Sequence, residues 1–469
     1  MKKVVFSNKK IMKIIYYGLL SMLLLFIILN EYLGNMDEIW NYSFAKHLSN
    51  GLFPYRDFNV ISTPFSIFIN SLFLKINSSL ITYRILYAIY YIAIIFLLDK
   101  IFDTLKIKTF LKFIIISLFV FILVKVCYLD YNFMQLLLIL LLIYCHLKNK
   151  DYQNSKLNII IALISGITII NKQSTGLIIA PIHIIIVMLN KFYFKKDISI
   201  KFLLRQIIIT LLPLILFIIY LIITKSLYDF YDQAILGLTT FTNKYISKVF
   251  LFFTIIIYIL MIIGMYLNKN KLELWIILLY CIASLSFIIP IFDNVHSSFC
   301  VALSFIFLTY IINNKINKIN DSYTYILLPI LLILLIYNIG SYITSPKIET
   351  GIYKYIKTRK EHQMIINNVD NFILSMPKDY DIYILDPSAS VFHLPLGIYH
   401  KYFDLFMKGN LGIKGQKEIL NIINEDNKIF LINEINENWQ SPTKIVDYVK
   451  EKYSSCGNID FLTVYCHKK

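Results

Sequence analysis

Charge is scarce in this sequence. Of 469 residues only 16% are Asp, Glu, Lys or Arg and 58% are hydrophobic, with a mean hydropathy of +0.65. Soluble domains carry about 25% charged residues, so a soluble globular protein is excluded and an α-helical polytopic membrane protein is implied. Acids are scarcer than bases, 29 against 46, and the net charge is +17. The lysines sit in short clusters between apolar runs and not along one face, which is the bias that orients membrane helices; no nucleic-acid partner is expected. No small-residue cleavage site follows the first apolar run, where Asn30, Glu31 and Tyr32 stand instead. The run therefore reads as a retained first helix and not as a removed signal peptide. No internal repeat stands out.

Cysteine is also sparse. Cys127, Cys145, Cys281 and Cys300 lie in or beside apolar runs and read as buried thiols. Cys456 and Cys466 lie in the polar C-terminal region and can pair if it is outside the cell, although spacing alone does not fix the geometry.

Spanning helices need roughly 17 to 25 apolar residues. On that measure the runs are 14–33, 82–98, 110–128, 131–147, 157–190, 206–224, 249–267, 272–290, 298–312 and 323–343. The run from Leu157 to Asn190 is too long for one crossing: its 34 residues would extend about 51 Å as a helix, against a hydrocarbon core of about 30 Å. Basic loops flank it on both sides, so it crosses an even number of times. Two short helices resolve both problems, with the break at Asn171-Lys172-Gln173-Ser174-Thr175-Gly176, the polar cluster in the run. Arms this short recess the tip below the outer surface, where irregular backbone must be covered by protein or line a watery cavity. The expected architecture has about 11 transmembrane helices, an intracellular N-terminus and an extracytoplasmic C-terminus, in a multi-pass plasma-membrane protein.

After about Ser345 the composition turns mixed. Ile352–Met376 reads as an amphipathic helix; 381–385, 428–433 and 460–465 read as strands alternating with helices at 415–423 and 443–452. That alternation implies a small C-terminal α/β domain, giving residues 1–345 as a transmembrane catalytic domain and 346–469 as an extracytoplasmic accessory domain. The junction Asp386-Pro387-Ser388-Ala389-Ser390 lacks glycine, so it lacks the nucleotide-binding fingerprint.

Hydropathy leaves some polar residues unexplained: Asp37, Glu38, Arg56 and Asp57 in the loop Asn35–Pro64, Lys172, and Asp293 with His296. All map to the outer side, and ionisable groups at membrane depth point to function. Asp37, a few residues past the first helix, can act as a general base or simply be a solvated acid that ends a helix. Lys172 needs a counter-charge, either a lipid phosphate or an internal partner such as Asp57 or Asp293. Asp293 and His296 can share a helix face, with His296 as phosphate ligand or proton carrier; Asp293 can equally cap the helix. Asp-x-x-His alone is too thin for a metal site. Arg84 reads as snorkelling, Asp130 and Asn132 as a tight outer turn, and Tyr228 to Asp232 as an interfacial loop.

Asp37-Glu38-Ile39-Trp40, then Gly51-Leu52-Phe53-Pro54-Tyr55-Arg56-Asp57-Phe58 and Thr63-Pro64, resembles the first outer loop of the GT-C glycosyltransferases of the protein mannosyltransferase and aminoarabinose transferase type. Asn171 through Gly176 resembles the Lys-Gln-x-x-Gly hairpin tip of a bacterial branch, and Pro290 through His296 its Pro-x-x-Asp-x-x-His junction. Gly409-Asn410, Trp439 through Pro442 and Tyr465 are similar to that branch's C-terminal domain. Thr63-Pro64 departs from the commoner pair of prolines.

The resemblance implies a polyprenyl-phosphate-linked sugar donor and a hydroxyl or amine acceptor on a glycan, lipid or protein. It places the catalytic base on Asp37. A phosphate leaving group needs no general acid, so one carboxylate and cations suffice. Lys172, with Arg56 and His296, would hold the departing phosphate. Glu38, Asp57, Gln173 and Asp293 would orient acceptor or sugar hydroxyls, with Glu38 and Asp57 holding a divalent cation where one is used; no metal ligand set is assigned. Two rival readings stand beside this one. A transporter also uses broken helices, but no second half repeats the first. A lipid-linked polysaccharide polymerase or ligase should depend on basic residues in a late outer loop, whereas here the acidic first loop dominates.

Overall fold

The computed structural model of the protein describes residues 2–240, 248–289, 291–315, 324–434 and 440–467; Pro290 and Trp439 of the motifs above lie outside them. In chain order the helices are α1 (Lys2–Leu29), α2 (Met36–Ser49), α3 (Phe65–Leu74), α4 (Leu80–Thr104), α5 (Thr109–Val124), α6 (Tyr131–Lys148), α7 (Ser155–Asn171), α8 (Gln173–Phe192) and α9 (Ile200–Ile223). Two short turns follow, α10 (Leu227–Phe230) and α11 (Gly237–Thr240), separated by a π-helical turn. Then come α12 (Lys248–Tyr266), α13 (Leu272–Ser284), α14 (Asn294–Lys315), α15 (Thr324–Thr344), α16 (Lys360–Ser375), α17 (Ser390–Leu396), α18 (Lys408–Ile423) and α19 (Thr443–Lys452). The strands are β1 (Asp381–Leu385), β2 (Lys428–Asn433), β3 (Tyr453–Ile459) and β4 (Leu462–His467).

Each expected apolar run forms a helix, and the long run breaks between Asn171 and Gln173, where hydropathy placed the interruption. Among the described residues eight helices are long and apolar enough to cross a membrane; α5, α7 and α13 are shorter. The fold is thus helical and polytopic, with a small sheet near its C-terminus. The chain divides into two compact units.

The first unit comprises Met1–Asn30, Arg84–Phe217 and Lys244–Thr344. Its helices pack closely where side chains are small: a Cβ on Gly166 of α7 would lie 2.1 Å from the Thr210 carbonyl oxygen of α9. Polar ends are stapled by charge, with Asp99 accepting from Lys112 at 2.9 Å, Lys13 at 2.6 Å and Tyr17 at 2.7 Å. By contrast α9, α12 and α15 have only 28%, 22% and 11% of their apolar windows buried, the pattern of faces covered by lipid.

The second unit comprises Glu31–Tyr83, Ile218–Asn243 and Ser345–Lys469. Its sheet has the order β1-β2-β4-β3, with β1 and β2 parallel and the other pairs antiparallel. The core beneath it includes Phe403, Leu411, Ile419, Phe430, Val449 and Tyr453. Cys456 and Cys466 are disulfide-bonded across the β3–β4 hairpin. The segment from Tyr228 to Asp232 is woven into the same unit and is not merely interfacial. Asp229 pairs with Lys401 at 3.1 Å and Lys414 at 2.8 Å, and Asp232 accepts from the backbone N–H groups of Ile413 and Lys414 at 3.1 and 3.0 Å. The amphipathic helix starts at Lys360, eight residues later than expected, because 351–353 form a 3-10 turn and Lys357 bridges to Tyr32 and Lys347.

Candidate functional site

Lys172 is the corner of the α7–α8 hairpin, an extended residue (φ −148°, ψ 105°) between two helices. The tip is tied to α6 by Asn171, whose side-chain amide donates to Gln135 Oε1 and to the Tyr131 carbonyl, both at 2.8 Å. Gly176 lets the arms close, since a Cβ there would stand 2.1 Å from the Thr168 carbonyl oxygen. Lys172 itself is 6% exposed. Its ammonium donates to Asn132 Oδ1 at 2.7 Å and lies over the Tyr131 and Phe287 rings at 5.6 and 5.4 Å, a cation–π cradle.

The partner is thus a neutral amide, neither Asp57 nor Asp293, and among the described residues Lys172 makes no ion pair. Asn132 in turn donates to Asp130 Oδ2 at 2.7 Å, while Asp130 Oδ1 caps α6 through the Phe133 N–H at 2.8 Å. Burial pushes the Asp130 carboxyl up in spite of these bonds. A buried cation held by an amide and two ring faces keeps its charge available for an anion.

In the same unit, Asp293 Oδ1 accepts both the backbone N–H and Nδ1 of His296, each at 2.8 Å. Asp293 therefore caps α14 and also fixes the imidazole, so that Nε2 is left to meet a ligand. Burial alone would raise the Asp293 carboxyl, but His296 outweighs it and holds it below the usual range. Arg84 is fully buried. Gln173, at the first position of α8, is 7% exposed.

In the second unit, Asp37 and Glu38 form the first turn of α2, whose N-cap is Asn35, accepting from the Glu38 N–H at 3.2 Å. Asp37 is partly exposed and Glu38 is buried. Arg56 and Asp57 are occupied with one another: Nε reaches Oδ1 at 2.8 Å and Nη2 reaches Oδ2 at 2.7 Å, with the guanidinium over the Phe53 ring. Asp57 Oδ2 also accepts the Phe53 N–H at 2.7 Å. The Arg56 bond, chiefly, holds the Asp57 carboxyl below its ordinary value. The structure therefore brings Lys172 together with Asn132, and Asp293 with His296, in one unit; it places Asp37, Glu38, Arg56 and Asp57 in the other.

Two groups escaped the sequence reading. Asn132 stood in a turn that only the α6–α7 packing gives a role. His47 and Asp404, 357 residues apart, meet at 2.5 Å, and no local pattern could join them. Among the described residues no group of three or more His, Cys, Asp or Glu side chains is placed to hold a metal ion.

No known family profile matches the chain, and no curated protein matches it. Solved structures do. ArnT from Cupriavidus metallidurans in the apo state matches with a TM-score of 0.55 and 8% identity over 99% of this chain and 98% of that one. The same protein bound to undecaprenyl phosphate matches with a TM-score of 0.55 and 9% identity over 99% and 98%. The Archaeoglobus fulgidus oligosaccharyltransferase in complex with Zn and sulfate matches with a TM-score of 0.50 and 10% identity over 96% and 73%. At such identities the likeness is one of fold alone.

Proposed function

We propose that the protein is an integral-membrane glycosyltransferase that moves a sugar from a polyprenyl-phosphate donor to a hydroxyl or amine acceptor at the outer membrane face. The observation that carries this reading is Lys172: a buried ammonium at a hairpin corner, hydrogen-bonded to an amide and cradled by two aromatic rings. That arrangement suits a lipid phosphate, and one solved structure with this fold holds undecaprenyl phosphate.

In the proposed reaction Asp37 takes the acceptor proton. The acceptor attacks the anomeric carbon from the face opposite the phosphate, the carbon–oxygen bond to phosphate breaks, and the configuration inverts. Lys172 carries the charge that develops on the departing phosphate. The Nη1 of Arg56, which the Asp57 pair leaves unused, and the Nε2 of His296 when its ring is doubly protonated are additional phosphate donors. Glu38, Asp57, Gln173 and Asp293 orient sugar or acceptor hydroxyls. No step is routed through a metal.

The test is sugar transfer from purified polyprenyl-phosphate donors by membranes containing wild type, Asp37→Asn or Lys172→Ala. Wild type should consume donor. Loss of a general base should lower turnover by about 100-fold or more, and Lys172→Ala should both weaken donor binding and lower turnover. Wild-type turnover by Asp37→Asn would sink the mechanism.

A further inference from the structure

The helix that starts with the proposed base ends in a buried histidine–carboxylate cluster. α2 carries Asp37 and Glu38 in its first turn and His47 in its last. His47 Nε2 lies 2.5 Å from Asp404 Oδ2, and the same nitrogen lies 3.0 Å from Ser43 Oγ. The second carboxylate oxygen faces His393 Nδ1 of α17 at 3.6 Å, just beyond hydrogen-bond reach, and the His393 ring meets His400 edge-on at 5.2 Å. His47 and His393 are fully buried and Asp404 is 4% exposed. Among the described residues, His47 Nδ1 and both ring nitrogens of His393 have no hydrogen-bond partner.

A carboxylate this far from water persists only if it is paired. Burial pushes the Asp404 carboxyl up, but His47 and His393 outweigh it and hold it well below the usual range. Neighbouring bonds reinforce the attachment: Ser390 Oγ donates to the Asp404 carbonyl at 2.6 Å, the Tyr399 ring stands edge-on to His47 at 4.6 Å, and Asn59 Nδ2 donates to the Asn410 carbonyl at 2.9 Å. An apolar contact would bury more area with less constraint. A hydrogen bond to a carboxylate sets direction as well as distance, which is what a helix bearing a base requires.

We propose that His47, Asp404 and His393 are positioning residues through which the C-terminal α/β region sets the orientation of α2 and hence of Asp37. The inference rests on the proposed role of Asp37. None of the three touches substrate; they act through the helix.

The experiment uses the full-length protein in detergent, as wild type, Asp404→Asn, His47→Gln and His393→Gln. Hydrogen–deuterium exchange is followed alongside sugar transfer and undecaprenyl phosphate binding. In Asp404→Asn the amides of Met36–Ser49 should exchange at least tenfold faster while those of β1, β2 and β4 keep wild-type rates. Its kcat should fall at least tenfold, with undecaprenyl phosphate affinity within threefold of wild type. His47→Gln, which keeps an N–H donor toward Asp404, should lose less than Asp404→Asn. His393→Gln, the mildest change, should raise α2 exchange about threefold if Asp404→Asn proves too unstable to purify. Unchanged α2 exchange, or an equal rise across the whole sheet, would overturn the proposal. If wild type transfers no sugar, the function fails on that arm alone, while the exchange arm still decides the positioning.

Discussion

Lys172 and Asn132, 40 residues apart, are joined by a 2.7 Å bond in which an amide oxygen takes the place a carboxylate would normally occupy. The choice of partner decides whether the ammonium is spent inside the protein or offered to a ligand. Asn132→Asp, nearly the same shape, should convert the contact into a buried ion pair and replace the N–H that Asp130 Oδ2 accepts with a carboxylate oxygen, which the burial-raised Asp130 carboxyl can meet by holding a proton. Affinity for undecaprenyl phosphate should fall about tenfold, or about 1.4 kcal/mol, read by competition binding in detergent. Equal affinity in the two proteins would show that the neutrality of Asn132 is irrelevant.

Gly176 explains why the hairpin tip can be so tight. Its Cα packs against α7, where an added Cβ would meet the Thr168 carbonyl oxygen at 2.1 Å and Ile169 Cα at 2.5 Å. Both are backbone atoms, so they cannot swing aside. Gly176→Ala should push the arms apart and move Lys172 off Asn132, costing about 1–3 kcal/mol of stability and at least tenfold in undecaprenyl phosphate affinity. Thermal unfolding and ligand competition on the same preparation check it. Alanine at Ser174, a half-buried neighbour on the same turn, should change both far less.

Asp232 does the work of an N-cap from a distance. The positive φ of Gly412, 67°, interrupts α18, and the N–H groups of Ile413 and Lys414 that open the next turn point at the Asp232 carboxylate. First-turn N–H groups have no partner within their own helix, and hydrogen bonds to a charged acceptor contribute about 1.5–3 kcal/mol. Asp232→Ala should therefore lower stability by about 2 kcal/mol and expose the 408–423 helix to proteolysis first. Limited digestion followed by peptide mapping gives the reading, and an unchanged cleavage order would refute it.

The membrane helices and the break at Lys172 were legible because hydropathy is a local property: each run announces itself, and Asn171–Gly176 is the polar interruption within one of them. The strands β1 and β2 were legible for the same reason. β3 was not, since only Tyr453 in it is buried and Ser454 to Asn458 are exposed; its pairing with β4 and the Cys456–Cys466 disulfide hold it, and neither shows as alternation. The ten-residue α3 is too short to register as a span. Longer-range chemistry was the least visible. Asn132 looked like a turn residue until Lys172 reached it, and Asp404 has no motif at all, because its partner His47 lies 357 residues away.

Asp370 offers a test of the second unit by pH. It lies on α16 with Oδ1 buried and without a hydrogen-bond partner among the described residues, and burial pushes its carboxyl up to about 6. The folded protein therefore holds this proton more tightly than the unfolded chain, whose Asp titrates near about 3.9. Stability must fall as pH rises from about 4 to about 6, and the penalty is fully present above that window. Asp370→Asn keeps the shape and removes the charge. Allowing for partial hydration, it should raise stability by about 1 kcal/mol at pH 7.5, a rise of about 2 °C in Tm, and have no effect near pH 4. Melting curves of both proteins across that range decide the matter: a gain that persists at low pH would mean the substitution acts through packing and not through the buried carboxylate.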